Sequence, residues 1–280
     1  MSYLLHDFII EEHVKQALKE DIGYGDISTD YIEADGKILK AYINTREEGV
    51  LCGVEVMRKV FEVLDKNIKI TTFLKDGDKM SAGQDIATIE GNARAILTGE
   101  RLALNYIQRM SAIATLTSKY CEVLAPYKAC ISETRKTTPN FRIFEKYAVK
   151  IGGAKPHRFS LCDCVMLKDN HIALCGGITQ AVETVRKHIS HTHKIEVETD
   201  TLEQVKEAVK AEVDIIMLDN MSVETIKKAV EIIDGRAITE ASGNVNIKTL
   251  EEVAKTGVDV ISTSATISLA GTLDIGLDIK

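Results

Sequence analysis

The stretch "KIEVETDTLEQVKEAVKAEVDIIMLDNMSVETIKKAVEII", residues 194–233, contains two copies of one pattern. Each copy begins with a short apolar run, "KIEVET" or "VDIIMLDN", which has the length and the branched residues of a buried strand. Each run is followed by a longer segment, "TLEQVKEAVKA" or "VETIKKAVEII", whose apolar residues recur at helical spacing. This alternation predicts parallel strands connected by helices.

The same pattern continues on both sides of this stretch, from residue 129 onward. Four further runs have the character of strands: "ACISET", "CVMLKD", "AITEAS" and "VDVISTS". Two further segments have helical spacing: "TQAVETVRKHI" and "IKTLEEVAKTG". Recurrent units of this kind form either a barrel or an open doubly wound sheet. We favour an incomplete parallel α/β (TIM-like) barrel, because polar residues end each of the six strands in succession.

The first part of the chain has a different pattern and predicts a separate α/β sandwich domain. "ILKAYINTREEGVLCG" alternates as strands do, and "DGDKMSAGQDIATIEGNARAIL" has the glycine-spaced turns of a small antiparallel unit. "GERLALNYIQRMSAIATLTSKYCEVL" then predicts a long helix with Arg101 at its N-terminus. We expect domains at 1–111 and 112–269, with a C-terminal tail of about 270–280 packing on the first domain.

The composition excludes several classes of protein. The chain has 280 residues and a formal charge of -7, which argues against a broad nucleic-acid-binding surface. It contains no run of about 18 apolar residues that would span a membrane. The N-terminus lacks the features of a secretory signal, so we expect a cytoplasmic protein. The six cysteines are scattered, and Cys162 and Cys164 lack the second pair of a zinc site, so we expect free thiols.

Cations are concentrated in one part of this acidic chain. Eight lysines and arginines lie between Arg135 and Lys168, opposed only by Glu145 and Asp163. Some of them fit an exposed helical stripe at i, i+4 and i+8. Others lie outside that stripe: Arg135, Lys136, His157, Arg158 and Lys168. A compact cluster of this kind predicts a site for a small polyanion, because a guanidinium and an ammonium together suit several acidic groups.

The carboxyl ends of barrel strands meet at one mouth, where barrel enzymes have their active sites. Glu196 and Glu198 lie two residues apart and face the same side, while Asp219 ends the next strand. Carboxylates from adjacent strands suit a hydrated Mg²⁺ or sugar hydroxyls, and the alternative is that they pair with the cations. Lys168 fits either a Schiff-base lysine or an electrostatic anchor for an anion. The nearby cations favour the anchor.

The last strands end in small polar residues that predict a phosphate site. "ASGNVNIKTLEE" is a strand, a glycine turn and a helix start, which leaves free backbone N–H groups at the mouth. Ser242, Gly243 and Asn244 would form the site, and Ser264 in "STSA" would complete it. Helix capping alone is the alternative. Together these groups would suit a phosphorylated sugar diphosphate and an acidic aromatic compound.

Motifs distributed along almost the whole chain resemble the quinolinate phosphoribosyltransferase family. They are "EDIGYGDIST" (20–29), "GERLALN" (99–105), "ETRKTTP" (133–139), "EKYAVKIGGAKPHR" (145–158), "KDNHI" (168–172), "IEVET" (195–199), "MLDN" (217–220), "EASGN" (240–244) and "LDIGLDI" (273–279). The resemblance implies a sandwich domain and an incomplete barrel. It also implies conversion of quinolinate and phosphoribosyl pyrophosphate to nicotinate mononucleotide, pyrophosphate and CO₂, with Mg²⁺, in dimers or assemblies of dimers.

The resemblance also implies roles for individual residues. The quinolinate pocket of the family falls on Arg101, Arg135, His157, Arg158 and Lys168. The phosphoribosyl pyrophosphate and metal side falls on Lys136, Glu198 and Asp219, and the 5′-phosphate site falls on Ser242, Gly243, Asn244 and Ser264. The chain departs from the family pattern at three positions, because the family usually has glycine where this chain has Asn140 and Asn244, and often near Ser264.

Three other functions remain as alternatives. A related group linked to molybdenum transport shares "TRKT" but is expected to lack "KDNH", which this chain keeps. A non-catalytic anion-binding protein on the same barrel would be expected to lose Lys136, Glu198 or Asp219, and all three are present. A barrel aldolase would use Lys168 as a Schiff base.

Overall fold

The computed structural model of the chain describes residues 5–32, 34 and 36–279. The strands, in chain order, are β1 (Ile38–Thr45), β2 (Gly49–Val50), β3 (Lys69–Thr72), β4 (Lys79–Met80), β5 (Asp85–Asn92), β6 (Cys130–Ser132), β7 (Val165–Leu167), β8 (Ile195–Thr199), β9 (Ile215–Asp219), β10 (Ile238–Ser242), β11 (Val260–Ser262) and β12 (Ile275–Ile279).

The helices also follow one another along the described chain. They are α1 (Asp7–Ile22), α2 (Ile27–Asp30), α3 (Val54–Leu64), α4 (Ala93–Leu124), α5 (Arg142–Ile151), α6 (Asp169–Cys175), α7 (Ile178–Arg186), α8 (Leu202–Lys210), α9 (Val223–Ile233), α10 (Leu250–Ala254) and α11 (Ala265–Ser268). None of the helices in the described part of the chain combines the length and apolar character needed to cross a membrane.

Two compact units divide the chain. One contains the chain up to Ser118, Thr138–Gly153 and the segment from Leu269, and the other contains Lys119–Thr137 and Ala154–Ser268. These units differ from the predicted ranges 1–111 and 112–269, since Thr138–Gly153 belongs with the N-terminal residues.

The first unit is built on an antiparallel sheet with the strand order β12-β1-β5-β3. β1 pairs with β12 on one side and with β5 on the other. Ala41, Ile43 and Thr45 of β1 are buried and alternate with more exposed residues, so one face of this strand is directed to the core. The helices of this unit make it a mixed α/β domain, as predicted.

Aromatic packing explains why Thr138–Gly153 belongs to the first unit. Phe141 and Phe144 have ring centroids 5.7 and 5.6 Å from Tyr106, and His13 lies 4.6 Å from Phe144. Arg109 donates to the fully buried Glu145 carboxylate at 3.0 Å. These contacts join residues far apart in the sequence, which local periodicity does not reveal.

Helix α4 begins earlier than predicted. Its first residue is Ala93, so Arg101 lies about two turns inside the helix and not at its N-terminus. The prediction that Arg101 lies at the N-terminus of this helix is therefore wrong. "GNARAIL" was assigned to the β unit, although only its first residues belong to β5.

The second unit contains a parallel sheet with the order β6-β11-β10-β9-β8-β7. All six predicted strands and the four predicted helices between them are present. Helices α8 and α9 bury small and branched side chains, among them Val205, Ala208 and Ile226. Ser222 accepts a hydrogen bond from the Thr225 N–H and so begins α9, a cap that stabilises a helix by about 1 kcal/mol.

The strand order has β6 and β7 at its two edges, so the sheet described here is an incomplete ring. Six strands about 4.8 Å apart in a flat sheet would hold these edges roughly 24 Å apart. Residues that follow β6 and β7 nevertheless line one cavity of about 500 Å³. The sheet must therefore curve, which confirms the predicted incomplete barrel over the open sheet.

Candidate active site at the carboxyl ends of the parallel strands

A cavity of about 500 Å³ lies where the six parallel strands end. Its walls are Thr134, Arg135, Lys136, His157, Arg158, Met166, Lys168, Glu198, Met217, Asp219, Asn220, Ser242, Gly243, Asn244 and Ser262. Every strand of the parallel sheet contributes its end or the residues just beyond it. The polar residues that end successive strands in the sequence therefore lie together in this cavity.

Two of the predicted site residues do not line this cavity. Arg101 lies in α4 of the first compact unit and is exposed. Ser264 precedes α11, and its carbonyl accepts hydrogen bonds from the N–H groups of Ile267 and Ser268. Ser262, two residues earlier, lines the cavity instead.

Two buried polar atoms of the lining residues lack hydrogen-bond partners among the described residues. They are the Nε of Arg135 and the Oγ of Ser262. Leaving a buried polar group unsatisfied costs about 1–3 kcal/mol, so such atoms call for a partner.

Lys168 follows β7 and forms an ion pair across the cavity wall. Its Nζ donates to Oε2 of Glu198 at 3.0 Å, and its side chain is 47 % exposed. The backbone N–H of Lys168 donates to Nδ1 of His171, which fixes the start of α6. An ammonium held by a carboxylate is not the free amine that a Schiff base needs, so the geometry supports the electrostatic anchor.

Asn220 connects the ends of β9 and β10. Its Nδ2 donates to Oδ2 of Asp219 at 2.6 Å, and its Oδ1 accepts from Nδ2 of Asn244 at 3.2 Å. Its backbone N–H donates to the Ser242 carbonyl at 3.0 Å. Sequence reasoning did not identify Asn220 as a site residue, although it ends the motif "MLDN".

The loop after β10 needs glycine at one position. Gly243 has φ of +96°, and a Cβ there would lie 2.3 Å from Oδ1 of Asn220. Asn244 and Asn140 also have positive φ, of 54° and 62°. Asparagine tolerates this left-handed conformation better than most residues, so both departures from the family pattern preserve the backbone path.

Three buried carboxylates surround His157 just below the cavity. Oε1 of Glu240 lies 3.2 Å from Nε2 of His157, and Oε1 of Glu196 lies 3.7 Å from the same nitrogen. The backbone N–H of His157 donates to both oxygens of Glu133, at 3.1 and 3.2 Å. Nδ1 of His157 accepts the backbone N–H of Arg158 at 2.7 Å.

This cluster retains one proton more than isolated groups would at neutral pH. Burial alone would lower the pKa of His157, but Glu196 and Glu240 outweigh it and raise the pKa to about 10. Burial also raises the pKa of Glu196. The geometry directs a ring proton on Nε2 toward the two carboxylates, while Nδ1 faces the Arg158 N–H.

Arg158 is held by carbonyl and sulfur contacts. Its Nη1 donates to the Cys164 carbonyl at 3.0 Å, and its Nη2 lies 3.4 Å from Sδ of Met166. The loop between them is shaped by Asp163, which accepts the backbone N–H of Phe159. Burial would raise the pKa of Asp163, but the hydrogen bonds that its carboxylate accepts from backbone N–H groups outweigh it and lower the pKa.

Glu198 and Asp219 fit the expected role of Mg²⁺ ligands. Each uses one carboxylate oxygen in the contacts described above, Oε2 with Lys168 and Oδ2 with Asn220. The second oxygen of each remains available at the cavity. Mg²⁺ prefers one or two carboxylates together with waters and phosphate oxygens, so this donor set is suitable.

Sequence reasoning missed the buried part of the site. Glu133 and Glu240 were read as parts of motifs and were given no role. Both end up almost fully buried, at 0 and 4 % exposure. A glutamate inside an otherwise apolar strand is the signal that could have identified Glu240, because an unpaired buried carboxylate is costly.

Comparisons with known proteins show the family to which the chain is similar. Residues 26–111 match "Quinolinate phosphoribosyl transferase, N-terminal domain" and residues 113–278 match "Quinolinate phosphoribosyl transferase, C-terminal domain". The chain is 42% identical over 274 residues to the "Probable nicotinate-nucleotide pyrophosphorylase [carboxylating]" of Synechocystis sp., covering 97% of this chain and 92% of that protein. The Bacillus subtilis protein of the same name is 40% identical, with 93% and 90% covered.

Solved structures give the same result. The structure described as NadC from Streptococcus pyogenes superposes with a TM-score of 0.94 at 40% sequence identity, covering 99% of both chains. A nicotinate-nucleotide pyrophosphorylase from Francisella tularensis gives the same TM-score and identity, with 99% of this chain and 98% of that one covered. By sequence over nearly its whole length and by fold, the chain belongs to the quinolinate phosphoribosyl transferase family.

Proposed function

We propose that the protein is a quinolinate phosphoribosyltransferase, a decarboxylating glycosyltransferase that makes nicotinate mononucleotide in de novo NAD biosynthesis. The observation that carries this proposal is the cavity itself. It joins the cations Arg135, Lys136, Arg158 and Lys168 to the carboxylates of Glu198 and Asp219 in an acidic chain. The names of the relatives support the same activity.

The two substrates match the two sides of the cavity. Quinolinate carries two carboxylates, which Arg135, Arg158 and Lys168 would bind as cations, with His157 beside them. Phosphoribosyl pyrophosphate would place its pyrophosphate against Lys136 and its 5′-phosphate against Ser242, Gly243 and Asn244, with Ser264 close in sequence. Backbone N–H groups at the end of a strand and the start of a helix are a common seat for phosphate.

In the reaction, the ring nitrogen of quinolinate donates its electron pair to the anomeric carbon of the ribose. The bond from that carbon to pyrophosphate breaks, and pyrophosphate leaves with the electron pair. Lys136 would stabilise the negative charge that grows on the leaving group, and the fixed cations would hold the ring nitrogen in line. Glu198 and Asp219 would hold ribose hydroxyls or Mg²⁺, which supplies charge neutralisation on the pyrophosphate.

Loss of CO₂ follows from the charge on the alkylated ring. The bond from ring carbon 2 to its carboxylate breaks, and the electron pair stays on that carbon beside the positive nitrogen. A proton then replaces the carboxylate, delivered by solvent or by the Lys168 ammonium.

The active enzyme would be a homodimer, or an assembly of dimers, with composite sites. Arg101 is exposed in α4 and does not line the cavity of its own second unit. We infer that Arg101 of one subunit completes the quinolinate pocket of the other. The partners of the protein are then its two substrates and a second copy of itself, without nucleic acid or membrane. Free thiols at all six cysteines suit a cytoplasmic location.

Product analysis tests this function. Protein, quinolinate, phosphoribosyl pyrophosphate and Mg²⁺ should together yield nicotinate mononucleotide, identified by mass spectrometry. The Lys136→Ala protein serves as a folded control with greatly reduced turnover. A folded wild-type protein that binds both substrates but makes no nucleotide would favour the anion-binding alternative. A molybdenum-transport role would require a different substrate altogether.

A further inference from the structure

The His157 ring is held at both of its nitrogens. Nε2 faces the Glu240 carboxylate at 3.2 Å, and Nδ1 accepts the Arg158 N–H at 2.7 Å. The ring is therefore oriented before any ligand arrives.

We propose that Glu240 is a positioning residue, which holds the His157 ring so that the ring fixes the backbone of Arg158 at the cavity. The inference rests on the proposed function, since Arg158 is taken as a cation that binds quinolinate. The N–H of Arg158 is fixed by the ring, and its guanidinium is fixed by the Cys164 carbonyl. Arg158 is thus held at both ends, and only one of these ends depends on Glu240.

Burial of this cluster should strengthen the hydrogen bond between Glu240 and the His157 ring. Glu240 is 4 % exposed, and Glu196 is 1 % exposed. Hydrogen bonds to charged groups in such surroundings are stronger than in water. The second carboxylate, Glu196, lies 3.7 Å from Nε2, beyond hydrogen-bond distance, so Glu240 at 3.2 Å is the carboxylate that orients the ring.

A metal ion is the alternative occupant of this cluster. One ligand atom each from His157, Glu196 and Glu240 lies within 4.8 Å of the others. A metal on Nε2 would require the ring proton to sit on Nδ1, as in other histidine sites, where the second nitrogen donates. Here Nδ1 faces an N–H donor, so a proton there would oppose the Arg158 backbone. The geometry therefore favours the positioning role.

The test compares three variants of strand β10. Glu240→Leu removes the acceptor, and Glu240→Gln keeps a side-chain carbonyl that can accept from Nε2. Thr239→Val is the matched control, because it removes the two part-buried hydrogen bonds of the Thr239 hydroxyl with Asp259, in the same strand, without touching His157. The holoenzyme is assayed with each substrate varied in turn.

Loss of one hydrogen bond to a charged group should raise the KM for quinolinate of Glu240→Leu about tenfold. Its KM for phosphoribosyl pyrophosphate should stay within about twofold, and Glu240→Gln should restore the quinolinate KM to within about threefold. Equal changes in both KM values, or the same change in Thr239→Val, would mean that Glu240 supports only the stability of the strand and would overturn the proposal.

A spectroscopic measurement keeps the inference testable if Glu240→Leu does not fold. Nitrogen-15 NMR of the wild-type imidazole, assigned with His157→Gln, should show a slowly exchanging proton on Nε2 and an unprotonated Nδ1. A proton on Nδ1 would overturn the proposal. So would a stoichiometric divalent metal in the purified protein that Glu240→Gln releases. Because this readout needs no turnover, its failure is separate from a failure of the proposed function.

Discussion

At the scale of single residues, exposed charged groups line the cavity and buried carboxylates lie behind them. Lys136 and Asp219 face the cavity without being buried, whereas Glu133, Glu196 and Glu240 lie beneath it. The exposed groups can be removed with little effect on the core. The buried carboxylates hold backbone and ring atoms, so their removal affects both folding and binding.

Lys136→Ala should lose about 10²–10³ in kcat/KM, because a positioned cation on a developing anion is worth roughly 3–4 kcal/mol. The melting temperature should remain close to that of the wild type, since the Lys136 side chain is exposed. Lys194→Ala is the matched control. Lys194 is an equally exposed lysine that precedes β8, at the opposite end of the sheet. Activity of Lys136→Ala within a few-fold of Lys194→Ala would make Lys136 an ordinary surface lysine.

Glu198→Gln and Asp219→Asn should weaken the response to Mg²⁺ and the binding of phosphoribosyl pyrophosphate more than the binding of quinolinate. Both carboxylates have an oxygen available for a hydrated metal, as described above. Calorimetry with each ligand separately measures the difference. Equal losses for the two ligands would contradict the division of the cavity into two sides. Glu198→Gln also breaks the ion pair to Lys168, so its effect on quinolinate should be the larger of the two.

At the scale of elements, close packing fixes the loop after β10, where we propose that a phosphate binds. Gly243 lies against Asn220, which in turn bonds to Asp219 and Asn244. The ends of β9 and β10 are therefore coupled through one side chain. A change in the loop should be transmitted to the carboxylate side of the cavity.

Gly243→Ala should raise the KM for phosphoribosyl pyrophosphate about tenfold or more. A shifted loop after β10 would lose charge-assisted hydrogen bonds to the phosphate. The added Cβ would lie 2.3 Å from Oδ1 of Asn220. Gly257→Ala is the control. Gly257 also has positive φ, +86°, but its nearest atom would be 3.9 Å away. Strain in both variants costs stability by about 1–3 kcal/mol. If Gly257→Ala raises the KM for phosphoribosyl pyrophosphate by the same factor, backbone strain and not the contact with Asn220 is responsible.

Local pattern predicted the strands and helices of the second unit, and the order of their ends predicted the cavity. The local pattern did not predict that Phe141 and Phe144 pack with Tyr106, because that contact joins segments far apart in the chain. The glutamate inside the strand "AITEAS" indicates a buried carboxylate, but its partner His157 lies far away in the sequence, so the role of Glu240 could not be predicted. The start of α4 was misplaced because "ARAIL" fits a strand end and a helix start equally well.

At the scale of the whole molecule, the proposed composite site needs two copies of the chain. The first and second units each form a compact body, and Arg101 and Lys136 belong to different ones. The free thiols, the acidic net charge and the curved parallel sheet are all compatible with a metabolic enzyme that gathers two anionic substrates in one basic cavity.

Mixing two inactive variants tests the composite site. Arg101→Ala and Lys136→Ala should each be inactive alone. After random reassortment of equal amounts in dimers, about half the dimers are mixed and each has one intact site, so about a quarter of wild-type sites should return. Subunit exchange is verified by native mass spectrometry. Exchange without recovery would show that Arg101 acts within its own chain or has no role.

Release of CO₂ from quinolinate labelled in the carboxylate at ring carbon 2 tests the central claim most directly. Labelled CO₂ should appear only when phosphoribosyl pyrophosphate and Mg²⁺ are both present. One CO₂ and one pyrophosphate should form for each nicotinate mononucleotide. CO₂ release that does not need phosphoribosyl pyrophosphate, or a folded protein that releases none with all components present, would contradict it.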